Sequence, residues 1–349
     1  MPHLAILCLR NEAAFLLEWL AHHRAVGFGD FLVFSNDCDD GTDAMLDRLA
    51  QMGWLTHQRN TGPYDKGGIQ FTALKAAAKL APVKQADWIL PLDIDEFVNI
   101  HTGDHTLPAL HTALPEATAI TLTWRLFGTS GKVRFEDTPL LDTFTQCAPA
   151  VLHWPWRAAM FKTLYRNDGT YRKPGVHRPR DPNKDKLADA RWFDAAGRSL
   201  PDPFKTKRIF SDFGRDNYAL AQLNHYPLGG LETYLLKSDR GRAVHAEDQL
   251  GMDYFVERNF NTDTDTTISA LATERAAIVK DLKADKTLRD LHESAVAWRK
   301  ARFDALMKQD APRALFGRLL MTPPTQPLSP DAARFMLHHA TLAQAKAQS

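Results

Sequence analysis

The fold is decided by residues 3–35, HLAILCLRNEAAFLLEWLAHHRAVGFGDFLVFS. The apolar run HLAILCL predicts a buried strand, and DFLVFS predicts a second. Between them, apolar residues recur at helical spacing, with Asn11 as the predicted N-cap and Gly27 as the stop. A strand, a helix and a strand of these lengths predict a crossover unit with two parallel strands.

The same alternation continues to about residue 98. DDGTDAMLDRLAQMG predicts a second helix, WLTHQR a third strand, IQFTALKAAAKLA a third helix and ADWILPLDIDEF a fourth strand. Repeated crossover units are typical of an α/β fold, in which helices flank a mostly parallel sheet.

The pattern loosens after residue 100. Further strands are predicted at ATAITLTWRLFG, FKTLYRN, KRIFSD and AQLNHY, and helices dominate from about Gly229. We expect a main domain at 1–260, a helical extension at 261–322, and a Pro-rich linker with a tail helix at 323–349. The helices from about residue 264 are expected to be structural or to bind a partner, not to catalyse.

Composition excludes several classes of protein. The 349 residues carry 43 Lys and Arg against 42 Asp and Glu, so no global field attracts nucleic acid or membrane. Cys8, Cys38 and Cys147 form no disulfide or metal framework and favour a reducing compartment. No signal-peptide pattern opens the chain, and no apolar run approaches the ~18 residues of a membrane span. We expect a cytoplasmic protein, with peripheral contact to a membrane left open.

Polar clusters follow three predicted strands. They are Arg10-Asn11-Glu12, Ser35-Asn36-Asp37 and Asp93-Ile94-Asp95. Ligands of parallel sheets gather at the carboxyl ends of the strands, so these clusters mark a candidate site. Because like carboxylates repel, Asp93 and Asp95 require a positive partner.

Several ordered motifs resemble one enzyme family. They are NE after the first strand, S-N-x-x-x-D-G-T at 35–42, D-x-D-E-F at 93–97, WRLFGTSG at 124–131, GVHRP at 175–179 and NHYPLGGLETYLLKSDRG at 224–241. Over residues 3–260 the chain resembles GT-A-type glycosyltransferases of the family 2-like group, in a bacterial branch. The resemblance implies a metal-dependent enzyme of hexosyltransferase type that usually inverts the anomer. Its donor would be a UDP-, GDP- or dTDP-sugar, and its acceptor a hydroxyl of a glycan, a lipid-linked sugar or another molecule.

Asp93 and Asp95 are the candidate metal ligands. Alternation along a strand would point both to one face, where two carboxylates suit Mg²⁺ or Mn²⁺. The resemblance adds His225 as a third ligand. The alternative is a solvated turn of capping acids, and Glu96 is expected to cap or to form a salt bridge.

The predicted donor site draws on several segments. Asn36 stands where many relatives have an aspartate, which leaves the nucleobase open. Glycines at 67 and 68 precede a helix that could receive a phosphate, although an ordinary loop is an equal alternative. Lys237 and Arg240 could cover the diphosphate or lie on a solvated helix face. The predicted donor-binding residues are Arg10, Asn11, Glu12, Asn36, Lys66, Gln70, Asp93, Lys237 and Arg240.

The acceptor side and the catalytic base are less defined. Trp124 and Phe127 could stack on a sugar ring or belong to the core. Asp137, Asp142 and His177 are candidate bases, in no order. Two rival functions stay open, a nucleotidyltransferase and a GT-A-like module that binds sugar nucleotide or glycan without turnover. The first is disfavoured because CLRNEAAF has no Gly-rich loop.

Overall fold

The computed structural model describes residues 1–64, 67–212, 214–241 and 250–348. Its strands are β1 (His3–Leu9), β2 (Asp30–Ser35), β3 (Thr56–Arg59), β4 (Trp88–Leu92), β5 (Glu96–Ile100), β6 (Ala119–Leu126), β7 (Gln146–Cys147), β8 (Phe161–Arg166), β9 (Tyr171–Lys173), β10 (Arg180–Pro182), β11 (Trp192–Asp194), β12 (Ala221–His225) and β13 (Asp263–Thr264).

Helices connect and cover these strands. They are α1 (Ala13–Val26), α2 (Thr42–Gln51), α3 (Ile69–Ala77), α4 (Ala81–Gln85), α5 (Leu107–Ala113), α6 (Leu140–Thr143), α7 (Lys184–Leu187), α8 (Asp202–Thr206), α9 (Leu231–Arg240), α10 (Met252–Val256), α11 (Ala272–Ala284), α12 (Lys286–Met307), α13 (Asp310–Met321) and α14 (Pro330–Gln348). Turns of 3₁₀ helix lie at Trp156–Ala159 and Thr267–Leu271.

In the described part of the chain, the main sheet has nine strands. Eight follow the order β3-β2-β1-β4-β8-β6-β12-β5, and β11 pairs with β6. Strands β8 and β5 run against the other seven. The predicted α/β fold class, a mostly parallel sheet flanked by helices, is confirmed.

Both faces of the sheet are buried. On β1, Ala5, Leu7 and Leu9 pack in one apolar cluster with α1, whereas Leu4 and Ile6 pack on the opposite face with α3. This alternation explains why β1 has no polar face in the sequence.

The C-terminal helices share the core of the first 260 residues. Leu282, Leu288 and Ala295 lie in the same cluster as α1, and Leu306 and Phe316 pack against residues of α9. Within the described part of the chain, no helix is long and apolar enough to cross a membrane.

Two predicted strands differ from the structure. ADWILPLDIDEF is not one strand, because β4 ends at Leu92 and β5 begins at Glu96 on the far edge of the sheet. KRIFSD forms no strand and contributes only an isolated bridge, at Phe210, to Met160. The other predicted strands and the early helices are present, with shifted ends.

Candidate active site

Two adjoining clefts open at the carboxyl edge of the sheet. They enclose about 920 and 1540 Å³ of empty space, with open solvent included. Clefts at the carboxyl ends of parallel strands are where sheets of this class bind their ligands. The two clefts share Arg10, Glu12, Ile94, Asp95, Lys237 and Arg240.

The turn after β1 forms one wall. Asn11 adopts a left-handed backbone (φ 52°), a conformation that Asn tolerates better than most residues. Its side chain bonds Asp39 through both the amide nitrogen (2.5 Å) and the amide oxygen (2.9 Å). Glu12, not Asn11, is the N-cap residue of α1, and its buried carboxylate pairs with Arg240 of α9. The predicted residues Arg10, Asn11 and Glu12 all line a cleft.

Asp93 and Asp95 lie in the turn between β4 and β5, not on one strand as predicted. The indole Nε1 of Trp19 in α1 holds this turn by donating to the carbonyls of Asp93 (3.2 Å) and Glu96 (3.1 Å). The two aspartates therefore do not share a strand face, and each has its own set of partners.

Asp93 pairs with a lysine that sequence reasoning missed. Lys162 of β8 is fully buried, and its Nζ lies 3.0 Å from Asp93 Oδ2 and 3.4 Å from Glu96 Oε2. Gln70 donates to the other Asp93 oxygen at 2.6 Å. Burial lowers the pKa of Lys162, but Asp93 and Glu96 outweigh burial and raise it above its ordinary value. The positive partner that the acidic cluster requires is thus part of the chain.

Asp95 pairs with Lys237 of α9. Its Oδ2 accepts from Lys237 Nζ at 2.5 Å and lies 3.7 Å from His225 Nε2. Although burial opposes it, Lys237 and His225 hold the pKa of Asp95 well below its usual range. Burial lowers the pKa of His225. Asp95, His225 and Lys237, three of the predicted site residues, thus lie together.

The predicted metal ligands are not assembled around one point. Each aspartate already has an ammonium partner, Lys162 for Asp93 and Lys237 for Asp95. Among the described residues, no group of three or more His, Cys, Asp and Glu side chains forms a candidate metal site. The donor set in place does not fit a divalent ion, and the predicted ion stays a prediction.

Glu96 forms the predicted salt bridge beneath the turn. It is fully buried and accepts from Trp124 Nε1 (2.6 Å) and from the Asp93 backbone (2.8 Å). Burial raises the pKa of Glu96 to about 8, while Lys162 opposes the rise. Its contacts connect the turn to β6 and β8.

The remaining donor-site residues separate into two groups. Gln70, Lys237 and Arg240 line the clefts as predicted. Asn36 does not reach them: it is fully buried, donates to the Leu9 carbonyl (2.8 Å) and accepts from Asn60 (2.6 Å). Its position is that of a structural residue beneath the site. The predicted contact of Lys66 lies outside the described residues.

Of the three candidate bases, His177 faces a cleft. Its Nδ1 bonds the Phe161 carbonyl at 3.0 Å, which leaves Nε2 as the proton acceptor. Burial lowers its pKa to about 4, so the ring is neutral at pH 7. Asp137 instead pairs with His292 (3.0 Å) and Asp142 with Arg275 (2.6 Å), and neither lines the two clefts.

The two acceptor-side aromatics differ in position. Trp124 lines the larger cleft beside His225, with ring centroids 4.3 Å apart. Phe127 is fully buried against Tyr226 (4.6 Å) and belongs to the core, so its predicted stacking on a sugar is not supported by its position.

Several lining residues were not predicted. Arg157 and Arg258 add positive charge to the larger cleft, and Trp298, Arg299 and Arg302 of α12 line the smaller one. The spacing WRKAR on a helix indicates a polar face, but nothing local indicates that the face borders a cleft. Among the described residues around the larger cleft, five are basic (Arg10, Arg157, Lys237, Arg240 and Arg258) and three are acidic (Glu12, Asp93 and Asp95). Such a cleft favours an anionic ligand.

The chain is similar to parts of plant proteins named glycosyltransferase family 92. One from Oryza sativa subsp. japonica is 27% identical over 143 residues, which cover 39% of this chain and 23% of that protein. One from Ricinus communis is 28% identical over 107 residues, or 29% of this chain and 18% of that protein. The chain thus spans about a fifth of the length of these curated relatives. No protein-family model matches it.

Among solved structures, S. aureus TarS 1-349 in complex with UDP is 14% identical, with a TM-score of 0.34, over 86% of this chain and 92% of that chain. TarS 1-349 in complex with UDP-GlcNAc is 18% identical, with a TM-score of 0.29, over 48% and 46%. Scores this low do not establish a shared fold. The curated similarity is to proteins named for family 92, and the predicted family 2-like placement is not confirmed.

Proposed function

We propose that the chain is a glycosyltransferase of hexosyltransferase type with a GT-A-like nucleotide-sugar fold. It would move a sugar from a nucleoside diphosphate to an acceptor hydroxyl. The observation that carries the proposal is the basic cleft at the carboxyl edge of a mostly parallel sheet, with Asp93 and Asp95 at its floor. The partial similarity to proteins named as glycosyltransferases supports it.

The chemistry follows from the charges that the reaction creates. The bond between the anomeric carbon and the diphosphate oxygen breaks, and the diphosphate leaves with the electron pair. Arg10, Lys237 and Arg240 lie where they can stabilise that charge. The acceptor oxygen bonds the anomeric carbon and gives its proton to a base. His177 is the best-placed of the three candidates, and attack in one displacement inverts the anomer.

The acceptor would enter beside Trp124 and His177, which are in ring contact and both line the larger cleft. The glycan, lipid-linked or other hydroxyl acceptor stays a prediction, as does the base of the donor nucleotide.

Release of nucleoside diphosphate from UDP-, GDP- and dTDP-sugars tests the proposal. One donor should yield its diphosphate, and Arg10→Met should slow the release because a cation in the cleft is lost. Arg318→Met, on an exposed face of α13, is the matched control and should leave the rate unchanged. Binding without release would favour the non-catalytic module. Pyrophosphate release from a nucleoside triphosphate and a sugar phosphate would favour the nucleotidyltransferase.

A further inference from the structure

The two aspartates of the β4–β5 turn each carry a lysine partner from a different element. Lys162 comes from β8, and its side chain has no exposure to solvent. Lys237 comes from α9, and 17% of its side chain is exposed. A buried ammonium is costly unless carboxylates pair with it, so neither contact is incidental to the packing.

Of the two lysines, Lys237 says more about ligand binding, because its side chain reaches the clefts. Its Nζ bonds Asp95 Oδ2 (2.5 Å) and the Pro227 carbonyl (2.8 Å), and the side chain lines both clefts. A lysine ammonium has three donors, and its bonds to the described residues use two of them, which leaves one for a ligand oxygen. Asp95, the carboxylate that was predicted to bind metal, therefore holds the Lys237 ammonium in place. The ammonium presents a fixed positive charge to the cleft.

A divalent ion on Asp95 would compete with this ammonium. Mg²⁺ requires oxygen ligands at about 2.0–2.1 Å in near-octahedral geometry. The Asp95 oxygen that faces Lys237 and His225 is already bonded, and the approaching ion would meet the positive charge of Lys237 at contact distance. Asp93 is already engaged as well, because one of its oxygens accepts from Gln70 and the other from Lys162.

We propose that Lys237, held by Asp95, supplies the positive charge that a divalent ion would otherwise supply, so that nucleoside diphosphate binds without a metal ion. Lys162 neutralises Asp93 from below, and Arg10, Arg240 and Arg258 add to the charge around the cleft. The inference rests on the proposed function, since it concerns the donor diphosphate in the same cleft.

Calorimetric titration with UDP, GDP and dTDP tests the inference, once in excess EDTA and once in excess Mn²⁺. The diphosphate that binds should do so with the same affinity in both buffers. Lys237→Met should bind about tenfold to a hundredfold more weakly in both, because a charge-assisted hydrogen bond is lost. Lys237→Arg should retain much of the affinity, and Lys308→Met, an exposed lysine that follows α12, should match the parent.

Two outcomes overturn the inference. Binding that disappears in EDTA and returns with Mn²⁺ would show that the cation is required. UDP alone lowers the electron paramagnetic resonance signal of free Mn²⁺. A further fall when the parent protein is added to UDP and Mn²⁺ would show an ion held at the site. Failure of all three diphosphates to bind in either buffer would instead reject the proposed function, and the inference with it.

Discussion

Lys162 changes the interpretation of the acidic turn more than any other residue. In FKTLYR it stands within a buried strand, where a lysine is rare unless a carboxylate faces it. The sequence therefore indicates that Lys162 needs an acidic partner. It cannot identify Asp93 and Glu96 as that partner, because they lie 66 or more residues earlier and pairing depends on the order of the strands.

Replacing Lys162 should destabilise the fold. Lys162→Met leaves Asp93 and buried Glu96 without their cation, and breaking such a buried pair costs about 3 kcal/mol or more. Urea unfolding at pH 7.5 measures the free energy of unfolding. Lys162→Met with Asp93→Asn should recover part of the loss, since the carboxylate that lies 3.0 Å from the lost ammonium is then removed. A single variant as stable as Lys308→Met would contradict the assignment.

At the scale of elements, periodicity predicts β1, α1, β2, α2, β3 and α3, because each buries an apolar face with a regular repeat. Periodicity fails at DIDEF, since the alternation of polar and apolar residues in Asp-Ile-Asp is the same as that of a half-buried strand. The break at Leu92 exists because β5 pairs with β12, more than 120 residues later. Long-range pairing of this kind leaves no local signal.

Helix α1 should make the fold sensitive to acid. Burial lowers the pKa of His22 to about 3 and holds that of His23 well below its usual range. The unfolded chain protonates both rings below about pH 6.5, whereas the folded chain keeps them neutral. Stability should therefore fall as the pH drops from about 6.5, by up to about 1.4 kcal/mol per pH unit for each ring.

Urea unfolding between pH 7.5 and 5 checks this dependence. His22→Gln retains a donor for the Val98 carbonyl, which His22 Nε2 contacts at 2.7 Å, but cannot protonate. Its free energy of unfolding should change less steeply with pH than that of the parent. Equal slopes in the two proteins would show that His22 does not cause the acid sensitivity.

At the scale of the molecule, the site draws on residues from β1, β12, α9 and α12, which are separated by most of the chain. Sequence motifs named Asp95 and His225 because each lies at a predicted strand end, and Lys237 because it lies on the segment that follows His225. They missed Arg299, since a buried arginine on a long helix resembles any other residue of that helix. The helices after residue 260 pack into the same core and reach the cleft.

Truncation should show that the fold can lose the tail helix α14 but not the helices α12 and α13. A chain that ends at residue 322 loses α14 but retains α11–α13, so it should fold cooperatively and keep the affinity for diphosphate. A chain that ends at residue 284 uncovers the partners of Leu288, Ala295 and Phe316 and should lose cooperative unfolding. Thermal unfolding and titration of both chains measure this. A stable 1–284 chain, or a 1–322 chain that no longer binds, would contradict the account.

A crystal structure with the nucleoside diphosphate that binds most tightly would show whether the clefts are the donor site. We expect the diphosphate at the carboxyl edge of the sheet, with its oxygens in contact with Lys237 and at least one of Arg10 and Arg240. We expect the nucleoside against the turn that follows β1. A diphosphate bound elsewhere, such as in the groove between Phe71 and Arg180, would contradict the assignment of the site.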